Sequence, residues 1–173
     1  GSTPARVGSM VEGGCATPTG RPWSDERPAY GRILVVTDNP IARALIDLAA
    51  VVGRRASLLL DAAALDDLRS AGLSAADAVV LCDHDTADRE AILALLLDGE
   101  AGYLAMMGSK PRAAATYAEL SGRYDDGKLR RLHVPAGLNI GGKGPGEIAL
   151  SVLAEIIAHD HDRPGGPMRV GSR

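Results

Sequence analysis

The sequence predicts one α/β domain: a parallel sheet with helices on both faces. Short, uniformly apolar runs such as Ile33-Leu34-Val35-Val36 alternate with longer segments of helical period. A chain of 173 residues that is 46% hydrophobic can also bury one core, with little left for a second. Strands covered on both faces read as continuous apolar runs, and a helix between successive strands is what a right-handed parallel crossover needs.

Residues 33–36 predict the first buried strand. Residues 40–52 predict a helix that opens at Pro40 and ends at Gly53, where glycine suits the chain reversal. Further strands are expected over 56–60 and 77–82, followed by a helix over 86–97 and a strand over 102–106. Helices over 111–120 and 145–158 complete the order, each opened by a proline. The pattern is that of a Rossmann-like sheet, in which ligands bind beyond the carboxyl ends of the strands.

Both ends of the chain read as tails. Gly1-Ser2 has the look of a cleavage scar, and residues 1–30 are rich in Gly, Pro, Ser and Thr without a sustained apolar period, so they are taken as tag remnant and flexible tail. The run Arg163-Pro164-Gly165-Gly166-Pro167 breaks structure, which leaves 31–159 as the folded domain and 160–173 as a flexible C-terminal tail.

Composition narrows the function classes. A formal charge of -3 with a pI near 5.8 gives no field that would draw nucleic acid or an anionic membrane. The absence of Phe, with one Trp and four Tyr, removes the platforms on which single-stranded bases stack. Cys15 and Cys82 form neither a disulfide framework nor a metal spacing, and no apolar run resembles a membrane span or signal peptide. A cytoplasmic protein is expected.

The chemistry is concentrated in two loops late in the chain. Met107-Gly108-Ser109-Lys110-Pro111-Arg112 and Gly137-Leu138-Asn139-Ile140-Gly141-Gly142-Lys143-Gly144-Pro145-Gly146 each place glycine and lysine just ahead of a predicted helix. Free amides at a helix start carry partial positive charge, glycine lets backbone approach a ligand, and lysine adds a full charge. A phosphorylated ligand is the natural expectation. Ser109 with Pro111 also suits a plain helix cap, and the glycines also suit turn geometry alone.

The first strand-to-helix turn, by contrast, reads Thr37-Asp38-Asn39-Pro40-Ile41-Ala42, without the glycines of a dinucleotide fingerprint. Asp38 or Asn39 can cap the helix, and a carboxylate there would repel a pyrophosphate. Asp61, after the second strand, stands where a ribose-binding acid would be, or serves as a cap for the helix that follows. Cys82-Asp83-His84-Asp85-Thr86-Ala87-Asp88 follows the third strand: either a ligand, proton or metal site at His84 and Asp85, or simple capping by Asp85 or Thr86 with Asp88 in the first turn. Cys82 itself reads as a sulfur carrier or metal ligand, or as a small buried hydrophobe. No nucleophile, base and orienting group can be assembled, so no catalytic residue and no metal site are assigned.

Together these segments resemble the C-terminal Rossmann-like domain of the XdhC/CoxI family, the maturation factors of xanthine dehydrogenase and carbon monoxide dehydrogenase. The resemblance covers residues 31–158. It rests on His84-Asp85 with Asp88, on Tyr103 through Met107-Gly108-Ser109-Lys110, and on His133-Val134-Pro135-Ala136-Gly137-Leu138-Asn139-Ile140-Gly141 leading into Pro145-Gly146-Glu147-Ile148-Ala149-Leu150-Ser151.

What the resemblance implies is a chaperone that binds molybdenum cofactor, as molybdopterin or its cytosine dinucleotide form, and delivers it to a client molybdenum hydroxylase alongside other maturation proteins. The resemblance maps Gly108, Ser109 and Lys110 onto its first signature and Gly137, Asn139 and Gly141 onto its second; Arg112, Gly142, Lys143, His84, Asp85 and Asp61 join them as candidate contacts from the chemistry and position of the residues. The sequence departs from the family pattern in its glycine-free first turn, in having Asn139 where an acid often stands, and in a length that gives no room for the separate N-terminal domain. Three other readings are carried forward: a domain that binds NAD(P) as an oxidoreductase, a docking module of the maturation machinery without cofactor, and nucleotidyl transfer through Asp83, Asp85 and Asp88. A homodimer is also expected, with the apolar last helix as its surface.

Overall fold

The structure is a computed structural model and describes residues 29–170. The expected N-terminal tail, apart from its last two residues, and the final three residues of the C-terminal tail lie outside the described residues. The sheet contains β1 (Arg32–Val36), β2 (Arg55–Leu59), β3 (Ala78–Leu81), β4 (Tyr103–Met106) and β5 (Leu132–His133). All neighbours are parallel, in the order β2-β1-β3-β4-β5. Connecting or following them are α1 (Pro40–Val51), α2 (Asp61–Ser70), α3 (Arg89–Asp98), α4 (Lys110–Ser121), the single turn α5 (Asp126–Leu129) and α6 (Pro145–Asp160).

Alternation along the strands divides the core into two layers. Ile33 and Val35 of β1, Val80 of β3 and Ala105 of β4 face α1 and α6. Leu34, Val36, Val79, Leu81 and Leu104 face α2, α3, α4 and α5. Both faces of the central strands are covered by apolar side chains, so these strands carry no polar alternation, as a parallel sheet requires. The α1 and α6 layer is rich in alanine, with Ala42, Ala49 and Ala149 fully buried, and small side chains let these helices lie close to the sheet.

The amino edge is fastened electrostatically. Asp77, buried at 4% exposure, accepts from Arg32 N at 2.8 Å and Nη2 at 2.9 Å, and from Ser74 N at 2.9 Å. Arg54 pairs with Asp160 at the end of α6 at 2.5 Å. Opposite, at the carboxyl edge, the segments that follow β1, β4 and β5 border the site.

Several expectations needed correction. The helix expected from Thr86 begins at Arg89, because the Thr86 hydroxyl donates to Asp83 O at 2.7 Å and holds a separate turn. Neither Asp85 nor Thr86 caps it. Asp88 takes the cap position in left-handed conformation, φ 57°, and its side chain makes no capping bond. Asp61 is likewise the first residue of α2 rather than its cap, which is Leu60. The turn α5 and the two-residue β5 had no periodicity to announce them, and α6 runs one residue beyond the expected domain limit, to Asp160.

Candidate functional site

The first turn is closed by its own side chains. Asn39 Oδ1 accepts from Ala42 N at 2.9 Å, Asn39 Nδ2 donates to Cys82 O at 2.9 Å, and Pro40 has no N–H to offer. Asp38 pairs with Arg43 at 2.5 Å. Thr37 nonetheless adopts φ 78°, a conformation that costs a branched residue about 1–2 kcal/mol, and its buried hydroxyl meets that of Thr86 at 2.7 Å. The turn thus keeps a left-handed residue without glycine, while Asn39 takes the Ala42 amide and Pro40 has none to give.

The two glycine-lysine loops behave differently, because the sheet brings them together. After β4, Gly108 leads to Ser109, whose hydroxyl caps α4 by accepting from Arg112 N at 3.3 Å. After β5, the chain passes a cis Val134–Pro135 bond and turns at Gly137, φ 100°. A Cβ at Gly137 would stand 2.3 Å from Ser151 Oγ, so glycine is required there. Leu138 N then donates to Ser151 O at 3.1 Å, laying the loop along α6.

Between these loops lies a cavity of about 540 Å³, within the usual size for small-ligand sites. Gly108 and Lys110 border it from one side, and Gly137, Asn139, Gly141, Gly142 and Lys143 from the other. Ile41, Met107, Leu138 and Ile148 give it an apolar wall. Seven of the twelve expected contact residues therefore surround one space.

The other five stand apart from it. Ser109 is spent as a cap. Arg112 Nη1 turns to Asp85 Oδ1 at 3.6 Å, and His84 Nε2 lies 3.1 Å from Asp85 Oδ2, so these residues make a chain of polar contacts outside the cavity lining. Asp61 sits beyond β2, its Oδ1 buried without a hydrogen-bond partner among the described residues. Asp83, His84 and Asp85 bring ligand atoms within 4.8 Å of one another; Asp88, invoked for nucleotidyl transfer, is not part of that group.

Sequence reasoning missed two carboxylates that organise the second loop. Glu147 Oε2 accepts from Lys143 N at 3.2 Å and Gly144 N at 3.4 Å, the two amides just ahead of α6. The loop is therefore not an open amide cradle throughout: Lys143 offers the cavity its side chain while its N–H is engaged. A glutamate three residues into a helix was a legible signal of this. Glu155, two turns further along, accepts from Gly137 N at 2.8 Å and Tyr103 OH at 2.5 Å and lies 3.2 Å from His133 Nδ1. Burial alone would raise its carboxyl, but these hydrogen bonds hold it below the ordinary carboxylate value.

Cys82 is 3% exposed at the end of β3, and burial pushes its thiol up to about 12. A neutral, enclosed thiol is a packing element, not a nucleophile at neutral pH.

A family model described as the XdhC Rossmann domain matches residues 33–156. The uncharacterized protein YqeB of Escherichia coli K12 is 37% identical over 93 residues, which is 53% of this chain and 17% of that protein. A probable xanthine dehydrogenase subunit of Bacillus subtilis 168 is 37% identical over 81 residues, 47% of this chain and 23% of that one. Among solved structures, a crystal structure described as a xanthine dehydrogenase from Bacillus halodurans matches with a TM-score of 0.63 and 26% identity, over 78% of this chain and 44% of its own. The matched region thus spans less than half of each of these relatives.

Proposed function

The chain belongs to the XdhC Rossmann-domain family, and from that premise we propose that it is a molybdenum cofactor-binding accessory protein that hands its ligand to a molybdenum hydroxylase of the xanthine dehydrogenase or carbon monoxide dehydrogenase type. The observation that carries this reading is the single cavity bordered by both glycine-lysine loops. Its donor set fits a phosphorylated ligand with an extended apolar or ring portion: Lys110 and Lys143 supply charge, the glycines permit close approach, and Ile41, Met107 and Ile148 provide an apolar wall.

In this account Lys110, at the first position of α4, pairs with the ligand phosphate where the helix field reinforces its charge. Lys143 closes on the same group from the opposite loop. The cofactor, when bound, supplies the molybdenum centre that the client uses; the domain binds, orients and shields it. No turnover of its own is required. The client hydroxylase and the other maturation proteins are the expected partners, in the cytoplasm, and a homodimer is part of the same proposal. Among the described residues no helix is long and apolar enough to cross a membrane.

The first turn counts against a nicotinamide dinucleotide: it has no glycine to let a pyrophosphate approach, its Ala42 amide is taken by Asn39, and Pro40 has no N–H. Anaerobic titration with molybdopterin cofactor and its cytosine dinucleotide form, beside NAD, NADP and CTP, tests the proposal. Binding of a molybdenum cofactor in preference to NAD and NADP supports it. Binding of the nicotinamide nucleotides alone replaces it with the oxidoreductase reading, and binding of none favours a docking module.

A further inference from the structure

We propose that Glu155 is a positioning residue for the cavity, holding the wall formed by the second glycine loop through the backbone N–H of Gly137. The inference rests on the ligand-binding reading above for its consequence, though not for its geometry.

Glu147, Ser151 and Glu155 recur at intervals of four on α6 and so lie along one face of the helix. Each fastens a different part of the same loop. Glu147 holds Lys143 N and Gly144 N, Ser151 O holds Leu138 N at 3.1 Å, and Glu155 Oε2 holds Gly137 N at 2.8 Å. The first attachment is ordinary helix capping and the second is backbone to backbone. The third is different, because it reaches from the middle of the helix to the loop through a half-buried carboxylate.

A carboxylate in that place is costly unless its oxygens are satisfied. Here they are: Tyr103, 1% exposed on β4, donates to Oε2 at 2.5 Å, and His133 on β5 lies 3.2 Å from Oε1. Tyr103 stacks on His133 with ring centroids 4.5 Å apart, so the two groups that orient Glu155 also brace each other. Sheet, edge strand and helix thereby converge on one amide of the loop. That amide belongs to Gly137, whose φ of 100° sets the direction of residues 138–143 along the cavity. A leucine at 155 would fill the space yet leave the Gly137 N–H and the Tyr103 hydroxyl without this partner.

The test uses the full chain and two readouts, hydrogen exchange of the amides of residues 137–141 and affinity for isolated molybdenum cofactor. Glu155→Ala is expected to speed loop exchange about tenfold or more while β4 amides keep their protection. Glu155→Gln, whose amide oxygen can still accept from Gly137, is expected to restore slow exchange. Ile156→Ala, a core change one position along α6, serves as the control for general destabilisation. If Glu155→Ala does not fold, Tyr103→Phe loosens the carboxylate with less damage and is expected to accelerate the same amides to a smaller degree. The proposal is overturned if loop exchange in the Glu155 and Tyr103 variants is unchanged, or if it rises no more than in Ile156→Ala. Cofactor affinity should fall in parallel with loop protection. If the wild-type protein binds no cofactor, the functional reading fails while the exchange data still decide whether Glu155 sets the loop.

Discussion

Glu147 Oε2 stands 3.2 Å from the backbone nitrogen of Lys143. The residue that supplies the second loop's positive charge therefore has its N–H engaged by a carboxylate of the same segment, and only its side chain is offered to the cavity. This separates two contributions that the sequence alone merges, helix-start amides and lysine charge, and it gives each a different mutational signature.

Removing the cap should cost stability rather than binding. Glu147→Ala releases the amides of Lys143 and Gly144 and is expected to lower unfolding free energy by about 1 kcal/mol, the usual value of a helix N-terminal cap. Urea unfolding of the two proteins measures it. Cofactor affinity should not fall with it, since the freed amides add donors to the anion position.

The two basic residues of the first loop should also part company. Lys110 borders the cavity, whereas Arg112 turns to Asp85. Lys110→Ala is expected to weaken binding of a phosphorylated ligand by about tenfold or more, as loss of a hydrogen bond to a charged group does, and Arg112→Ala by less than about threefold. Equal losses in parallel titrations would mean that Arg112 swings into the cavity when ligand binds.

Acid should unlock the amino edge of the sheet. The hydrogen-bonded Arg32 guanidinium, with amides from Arg32 and Ser74, holds the Asp77 carboxyl well below the usual carboxylate range. A carboxyl lowered on folding contributes its stability above its unfolded value, near pH 4, and loses it as pH falls through the folded value. With Arg32 partly exposed and screened, the contribution is on the order of 1–2 kcal/mol. Asp77→Asn is therefore expected to be less stable at neutral pH and to show a shallower decline below about pH 4. Urea midpoints across that range provide the comparison.

Cys82 should be silent toward electrophiles. Its enclosure at 3% exposure and its raised thiol predict no alkylation by iodoacetamide in the native protein and full alkylation after denaturation. Peptide-resolved mass spectrometry distinguishes it from Cys15. Rapid native modification would reopen a sulfur-transfer role.

Much of the fold was legible because the central strands are buried on both faces: the runs around Val35, Val80 and Ala105 are apolar without alternation. The edge was not. β5 has two residues, its pairing to Leu104 and Ala105 is set by tertiary contact, and no local period marks it. The start of α3 departs from the local pattern for a similar reason: Thr86 looks like a cap, but its hydroxyl is committed to Asp83 O and to Thr37 beyond the neighbouring strand β1.

At the site, glycine and lysine were legible as loop chemistry, and the sheet edge brings both loops to one cavity. What sequence could not supply was direction. Ser109, Arg112, His84 and Asp85 carry suitable chemistry, yet capping and contacts with one another turn them elsewhere. Glu155 was invisible because a glutamate in an apolar helix has no local signature; its role arises only when Tyr103, His133 and Gly137 converge on it.

The most direct test of the central claim is anaerobic titration of molybdenum cofactor into the wild-type protein and a Lys110→Ala, Lys143→Ala double variant, with folding checked by circular dichroism. The account predicts saturable binding by the wild type and a loss of about a hundredfold or more in the folded double variant, the sum of two charged contacts. Undiminished binding by that variant would contradict it, placing any cofactor away from the cavity between the loops.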